Sequence, residues 1–135
     1  MHCIISGLDH TARLGQMLAQ ALIAQGPCPL LISGPLGAGK TTLIRCIVAN
    51  LPGGEEAEVS SPSFNLVNVY PTHPEVIHMD LYRLGQYGMD ESLAEYLDTE
   101  GVILLVEWAE FIPDSVLPEN YIWLHIEPSG EERTI

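Results

Sequence analysis

A glycine-rich segment between an apolar run and a helical pattern constrains this chain more than any other feature. Residues 34–42 read Gly-Pro-Leu-Gly-Ala-Gly-Lys-Thr-Thr, with the spacing G-x-x-x-x-G-K-T of a phosphate-binding P-loop. The apolar run 30–32 precedes it, and a helical pattern follows at 43–48. Glycines let the backbone adopt positive φ and approach a ligand, and N–H groups at a helix start attract phosphate oxygens. The segment therefore predicts a strand, a nucleotide-binding loop and a helix.

Individual residues of this loop are expected to bind different parts of the nucleotide and the metal. Lys40 is the only lysine in the chain, and we expect it to reach the β- and γ-phosphates. Thr41 is expected to offer its hydroxyl to Mg²⁺. The expected cofactors are therefore Mg²⁺ and a nucleoside di- or triphosphate, such as ADP or ATP. Further nucleotide contacts are expected from the rest of the loop and the helix start: Gly37, Ala38, Gly39 and Thr42.

Composition and charge limit the classes of protein to which this chain can belong. The chain has 135 residues, of which 47% are hydrophobic, so one domain spanning 1–135 is expected. Its formal net charge of −13 disfavours direct binding to nucleic acid. No apolar run is long enough to span a membrane, and no basic-then-apolar leader opens the chain. Cys3, Cys28 and Cys46 lack metal-ligand spacing and are interpreted as reduced, buried thiols of a cytoplasmic protein.

Strand and helix patterns alternate along the chain, which indicates an α/β layer fold. The nearly continuous apolar run 102–106 is typical of a strand buried on both faces of a parallel sheet. We therefore predict a three-layer P-loop NTPase with a mixed, mainly parallel central sheet. Strands are predicted at 2–5, 29–33, 64–70, 76–79, 102–106 and, as the last, 121–126, with 64–79 an antiparallel hairpin. Helices are predicted at 8–25, capped by Asp9, at 41–50 and at 91–98.

Two acidic residues stand where predicted strands end. Asp80 follows 76–79 and Glu107 follows 102–106, and ligands of open α/β sheets bind at the carboxyl ends of strands. Either carboxylate fits a Mg²⁺ ligand, a group that orients the attacking water, or an acid in solvent. Trp108 follows Glu107 and is either close to the site or part of the core. His78 shares a strand face with Asp80, and a hydrogen-bonded structural role is favoured over a catalytic base.

Four segments together resemble the TsaE (YjeE) family. They are the loop at 34–42, Ser-Pro-Ser-Phe at 61–64, His-Met-Asp-Leu-Tyr-Arg-Leu at 78–84 and Glu-Trp-Ala-Glu at 107–110. They follow the order and spacing of the family over nearly the whole chain. The resemblance implies a small bacterial cytoplasmic P-loop ATPase. Such a protein works with the TsaB–TsaD complex to make N6-threonylcarbamoyladenosine at position 37 of tRNAs that read codons starting with A.

The resemblance also implies roles for individual residues. Thr41 and Glu107 would bind Mg²⁺, with Asp80 near the metal or the attacking water. The segment 61–64 would be a switch loop near the γ-phosphate. Thr11 resembles a family threonine near the adenine. Arg133 resembles a family arginine that also lies near the nucleotide.

Two positions depart from the family pattern. Pro35 stands where the family usually has aspartate, which removes a carboxylate and a backbone donor. This change is expected to affect the catalytic rate more than nucleotide binding. Ser63 replaces the usual threonine of the switch loop and keeps the hydroxyl.

Other functions compete with a slow, partner-dependent ATPase. A small-molecule kinase usually needs several arginines to neutralise two phosphorylated substrates. A GTPase needs an Asn-Lys-x-Asp motif, which a chain with a single lysine at position 40 lacks. A nucleotide-bound interaction module with negligible hydrolysis stays open because of Pro35. The chain offers only four arginines to these chemistries: Arg13, Arg45, Arg83 and Arg133.

Overall fold

A computed structural model describes residues 4–62, 66–86, 88–129 and 132–135 of the chain. Strands and helices alternate through most of its length, as predicted. The strands are β1 Ile4–Ser6, β2 Leu30–Ser33, β3 Val67–Tyr70, β4 Val76–Asp80, β5 Ile103–Glu107, β6 Ile122–His125, β7 Glu127–Ser129 and β8 Glu132–Thr134. The α-helices are α1 Gly7–Ala24, α2 Lys40–Ala49 and α3 Glu91–Leu97, and short 3₁₀ turns span Tyr82–Gln86, Ala109–Phe111 and Asp114–Val116.

Five strands form the central sheet in the order β3-β4-β5-β2-β6. Strands β4, β5, β2 and β6 run parallel, and β3 pairs with β4 as an antiparallel hairpin. The predicted mixed, mainly parallel sheet is therefore confirmed. Its register pairs Ile32 with Glu107 and Glu107 with Asp80. The carboxyl ends of β2, β5 and β4 thus lie side by side at one edge, where the loop after β2 begins.

Alternating residues of the buried strands face two separate cores, which makes three layers. Every residue of β2, β4 and β5 is buried, as expected for strands covered on both faces. Helices α1 and α2 pack on one face against Leu30, Ile32 and Leu105. Helix α3 and the residues after β5 pack on the other face against Leu31 and Leu104. The α/β fold class predicted from the sequence is confirmed.

Helices α1 and α2 approach each other closely at Gly15. A Cβ atom built on Gly15 would lie 2.5 Å from Cys46 Cβ, far inside normal contact distance. The missing side chain therefore sets the distance between the first helix and the P-loop helix. Cys28 and Cys46 are free but only half-buried, so their expected full burial was wrong, while Cys3 lies outside the described residues.

The predicted strand at 121–126 is confirmed as β6, but it is not the last strand. Strands β7 and β8 follow it and form a separate antiparallel sheet with β1, in the order β1-β8-β7. The strand predicted at 2–5 overlaps β1, with residues 2 and 3 outside the described residues, whereas β7 and β8 have three residues each and β7 contains Pro128. Such short segments carry too little alternation to show a strand in the sequence.

The predicted cap of α1 and the predicted start of β3 were also wrong, while the other predicted ends that fall in the described residues differ by at most one residue. Helix α1 begins at Gly7 with Ser6 at the N-cap, so Asp9 lies in the first turn and does not cap it. The backbone N–H of Ser6 instead donates to His10 Nδ1 at 3.1 Å. Strand β3 begins at Val67, and Leu66 has a left-handed φ of 64° that does not continue a strand. Residues 63–65 of the predicted strand and switch loop lie outside the described residues.

In the described ranges, no helix combines the length and apolar character needed to cross a membrane.

Candidate nucleotide-binding site

The loop between β2 and α2 has the backbone of an anion site. Gly37 and Gly39 have φ values of 78° and 102°, which only glycine adopts readily. Gly39 is the N-cap of α2, and Leu43 N–H makes the first bond back to its carbonyl, at 3.0 Å. The N–H groups of the first helical turn therefore have no partner within the helix. Together with the helix dipole, they favour a bound anion at this end of α2.

Lys40 lies folded against this loop. It is 5% exposed, and its Nζ donates to Gly34 O at 2.6 Å and to Pro35 O at 2.8 Å. The ammonium also lies 4.1 Å from the centre of the Trp108 ring. Burial lowers the pKa of Lys40, while the charges of Glu107, Glu110 and Asp80 act in the opposite direction. The single lysine therefore places its positive charge at the centre of the loop.

Thr41 and Glu107 contact each other next to the loop, where the predicted end of the strand before Glu107 was expected to lie. Thr41 Oγ1 donates to Glu107 Oε1 at 2.6 Å. The other carboxylate oxygen, Oε2, lies 2.7 Å from His78 Nε2. His78 is fully buried, and its Nδ1 lies 3.0 Å from the hydroxyl of Tyr70. The hydrogen-bonded role favoured for His78 is the one the geometry shows.

Asp80 lies one strand farther from the loop, beside Glu107 in the register. Ser61 Oγ donates to Asp80 Oδ2, and the backbone N–H of Tyr82 donates to Oδ1 at 2.9 Å. Asp80 is buried, so the alternative of an acid in solvent is wrong for it, and the same holds for Glu107. The contact with Ser61 brings the start of the 61–64 segment to this carboxylate.

Trp108 closes one side of the site. Its φ of 58° is unusual for a large residue, and its half-buried ring packs on Tyr82 at 4.9 Å and Phe111 at 5.8 Å between ring centres. Both sequence-based alternatives hold in part, because the ring contacts Lys40 and also packs against the core on the α3 side of the sheet. A cavity of about 250 Å³ opens beside it. Its lining includes Leu36, Thr41, Ser61, Asp80, Arg83 and Glu107.

Thr11 reaches the opposite side of the loop. A small cavity of about 40 Å³ is lined by Thr11, Ala38, Gly39 and Thr42, with Leu8, Leu43 and Ile126. Thr11 itself is buried, and its hydroxyl donates to Gly7 O at 3.2 Å. The structure therefore brings the first helix to the nucleotide loop. Arg133 lies in β8 opposite Ile5, and its side chain is outside the described part of the chain.

The donor set at Thr41 and Glu107 fits Mg²⁺. A hydroxyl and a carboxylate oxygen lie together beside the phosphate cradle, and Mg²⁺ on nucleotides completes its six ligands with phosphates and waters. Among the described residues there is no group of three or more His, Cys, Asp and Glu side chains that would hold a metal by itself. A metal held jointly by protein and nucleotide does not need such a group.

Two tyrosines of the site were not predicted. Tyr70 contacts His78 from β3, and Tyr82 packs on Trp108. Because side chains alternate along a strand, Asn68 and Tyr70 share one face of β3. The hairpin pairs Asn68 with His78, which brings Tyr70 beside His78. Alternation is therefore a partial signal for Tyr70, and the register that completes it comes from the structure.

Comparison with known proteins places the chain among characterised sequences. A family model described as "Threonylcarbamoyl adenosine biosynthesis protein TsaE" matches residues 5–135. The "tRNA threonylcarbamoyladenosine biosynthesis protein TsaE" of Aquifex aeolicus is 36% identical over 79% of this chain and 75% of its own length. The protein of that name from Rickettsia felis is 35% identical over 85% of this chain, which spans 66% of the relative's length.

A solved structure agrees with the sequence matches. The crystal structure of Bacillus subtilis YdiB superposes with a TM-score of 0.75 and 26% identity, covering 99% of this chain and 81% of that protein. The P-loop, the strand-end carboxylates and these matches lead to the same assignment. The chain belongs to the TsaE family of threonylcarbamoyl adenosine biosynthesis proteins.

Proposed function

We propose that this chain binds ATP with Mg²⁺ at the P-loop and hydrolyses it to support the TsaB–TsaD complex in forming N6-threonylcarbamoyladenosine at position 37 of tRNA. The observation that carries the proposal is the meeting of Lys40, Thr41 and Glu107 at one loop. Lys40 Nζ and the Thr41–Glu107 pair flank a helix start whose first N–H groups have no partner within the helix. This combination suits a phosphate chain with a divalent cation.

Each residue then has a distinct task. Lys40 moves its ammonium from the carbonyls of Gly34 and Pro35 to the β- and γ-phosphates. Thr41 and Glu107 hold the metal, and bound Mg²⁺ supplies neutralisation of phosphate charge. Asp80 is one strand farther out and hydrogen-bonded by Ser61, a position suited to orienting the attacking water near the γ-phosphate.

The nucleoside end is assigned to the other cavity. Thr11, Ala38 and Thr42 line it beside Gly39, so the adenosine lies between the start of α1 and the start of α2. Arg133, in β8, is assigned to this end as well. The Trp108 ring covers Lys40 and shields the phosphates from water.

A partner is expected to complete the catalytic machinery. P-loop hydrolases gain large rate factors from an arginine that neutralises the transition state, often supplied by another protein. Arg45 does not serve here, because it is exposed and donates to Val59 O at 3.3 Å. Arg83 lines the cavity near Asp80. A net charge of −13 favours docking on a basic protein surface and disfavours direct contact with tRNA.

Phosphate release tests this proposal. The purified chain is assayed alone and with TsaB–TsaD, at low and at physiological salt, with Lys40→Ala as the inactive control. We expect slow turnover alone and faster turnover with the partner, more so at low salt because surface charges are then less screened. Fast turnover that the partner leaves unchanged would favour a self-contained enzyme such as a kinase. Binding without turnover in either condition would favour a nucleotide-bound interaction module.

A further inference from the structure

A line of buried polar groups runs behind Glu107, away from the loop. Thr41 Oγ1, Glu107, the His78 ring and the Tyr70 hydroxyl follow one another at 2.6, 2.7 and 3.0 Å. His78 is fully buried, and Tyr70 is 6% exposed. Buried polar groups cost free energy unless they are paired. Packing of an apolar core alone therefore does not explain why a histidine and a tyrosine occupy these buried positions.

The donors and acceptors of this line allow few arrangements. A carboxylate only accepts hydrogen bonds, so the short contact between His78 Nε2 and Glu107 Oε2 requires a proton on Nε2. In the neutral ring, Nδ1 is then an acceptor and needs a donor. The Tyr70 hydroxyl, 3.0 Å away, is in place to be that donor. Burial raises the pKa of Tyr70, so the phenol keeps its proton.

The Tyr70 hydroxyl has a second acceptor within reach. Ser60 O lies 3.3 Å from it, farther than His78 Nδ1. The same carbonyl also receives Asn68 Nδ2 at 3.2 Å. Since Asn68 satisfies Ser60 O, the single proton of Tyr70 is available to His78. Asn68 also hydrogen-bonds the Tyr70 hydroxyl, so it supports the same end of the line.

We propose that His78 and Tyr70 are positioning residues that orient the Glu107 carboxylate for Mg²⁺ through the Nε2–H of His78. Tyr70 sets the tautomer and the ring orientation, and His78 holds Oε2 so that Oε1 stays beside the Thr41 hydroxyl. Outer partners of this kind fix ligand geometry, and their loss typically lowers metal affinity about 10- to 100-fold. The inference rests on the proposed function, because it takes Glu107 as a metal ligand.

Four variants separate positioning from simple packing. Tyr70→Phe removes only the hydroxyl. His78→Asn keeps a polar group near the Nδ1 position but none near Nε2, whereas His78→Gln places an amide N–H near the Nε2 position. Tyr121→Phe removes the hydroxyl of an exposed tyrosine that packs on Trp123, away from the site, and is the matched control. ADP affinity is measured by calorimetry for each folded variant, with Mg²⁺ and with a chelator.

The expected pattern is specific to the metal. Tyr70→Phe and His78→Asn should lose about tenfold or more of the affinity that depends on Mg²⁺, with the metal-free affinity unchanged. His78→Gln should recover most of the loss, and Tyr121→Phe should bind like the unmodified chain. Equal losses with and without metal, or a loss shared by Tyr121→Phe, would show a nonspecific effect and overturn the inference. Variants that bind Mg-ADP normally would also overturn it, while the proposed function would stand.

A second readout needs no nucleotide. Nitrogen NMR of the histidine rings in the ligand-free protein reports which ring nitrogen carries the proton. The inference predicts a proton on Nε2 of His78, and a change of this signal in Tyr70→Phe. A ring protonated only on Nδ1 would overturn the inference even if the chain binds nucleotide. If the unmodified chain does not bind Mg-ADP at all, the proposed function and this inference fail together.

Discussion

Replacing Glu107 with glutamine perturbs the metal site at its most connected side chain. The carboxylate is 2% exposed and lies between Thr41 Oγ1 at 2.6 Å and His78 Nε2 at 2.7 Å. Glutamine has the same length but no charge, and it carries one acceptor and one NH₂ donor. Its oxygen can accept from His78 while its NH₂ donates to the Thr41 hydroxyl. Both contacts then survive, but the Thr41 hydroxyl accepts a hydrogen bond where it donated one before, and the anionic metal ligand is lost.

The two consequences differ in size. Hydrogen bonds to a charged group contribute about 1.5–3 kcal/mol and neutral ones about 0.5–1.5 kcal/mol. Losing the charge at two bonds therefore costs the fold about 2–3 kcal/mol, and the lower cost of burying a neutral group offsets part of it. Loss of one charged contact to Mg²⁺ should lower metal-dependent nucleotide affinity about tenfold to a hundredfold. Glu107→Gln should thus stay folded and lose its response to Mg²⁺.

Two assays on one preparation check this prediction. Urea unfolding gives the free energy of unfolding, and calorimetry gives ADP affinity with Mg²⁺ and with a chelator. Glu110→Gln is the control, because Glu110 is exposed and its substitution removes the same charge three residues away. A folded Glu107→Gln that keeps full Mg²⁺-dependent affinity would refute the metal role of Glu107. If Asp80→Asn shows the loss instead, the roles of the two carboxylates are exchanged.

Three further perturbations follow from single contacts. Lys40→Ala should weaken ATP binding about tenfold to a hundredfold through loss of a charge-assisted contact; unchanged affinity in a calorimetric titration would argue against the P-loop assignment. Gly15→Ala should lower unfolding free energy by about 1–3 kcal/mol through the clash with Cys46, whereas exposed Gln16→Ala should change it little; equal stabilities on urea unfolding would contradict this packing. Burial raises the pKa of Cys28, so the rate of its alkylation by iodoacetamide, followed by peptide mapping, should still rise with pH where the rate for an ordinary cysteine is already constant. A Cys28 rate that becomes constant at the same pH as that of an ordinary cysteine, or lower, would contradict this prediction.

Much of the central sheet was predictable because its strands carry strong local signals. The run 102–106 is apolar throughout and became β5, buried on both faces. The P-loop marked the end of β2 and the start of α2 to within one residue. A strand near the start was predicted, but the second sheet was not, since β7 and β8 have three residues each and β1 pairs with β8 across the length of the chain. Pairings of this kind depend on tertiary contacts rather than on local pattern.

The site was predictable where strand ends meet. Glu107 and Asp80 lie side by side because parallel strands bring their carboxyl ends to one edge. The hydrogen bonds from Glu107 to His78 and Tyr70 were not predictable, because the contact of Tyr70 with His78 depends on the exact register of the β3–β4 hairpin. Ser61 reaches Asp80 only through the path of the loop before β3. Neither the register nor the loop path follows from composition or periodicity.

A titration of the unmodified chain with ATP, in Mg²⁺ and in chelator, tests the central claim most directly. The arrangement of Lys40, Thr41 and Glu107 predicts binding of one ATP per chain, tighter with Mg²⁺ than without it. An absence of ATP binding, or binding that Mg²⁺ leaves unchanged, would contradict the account.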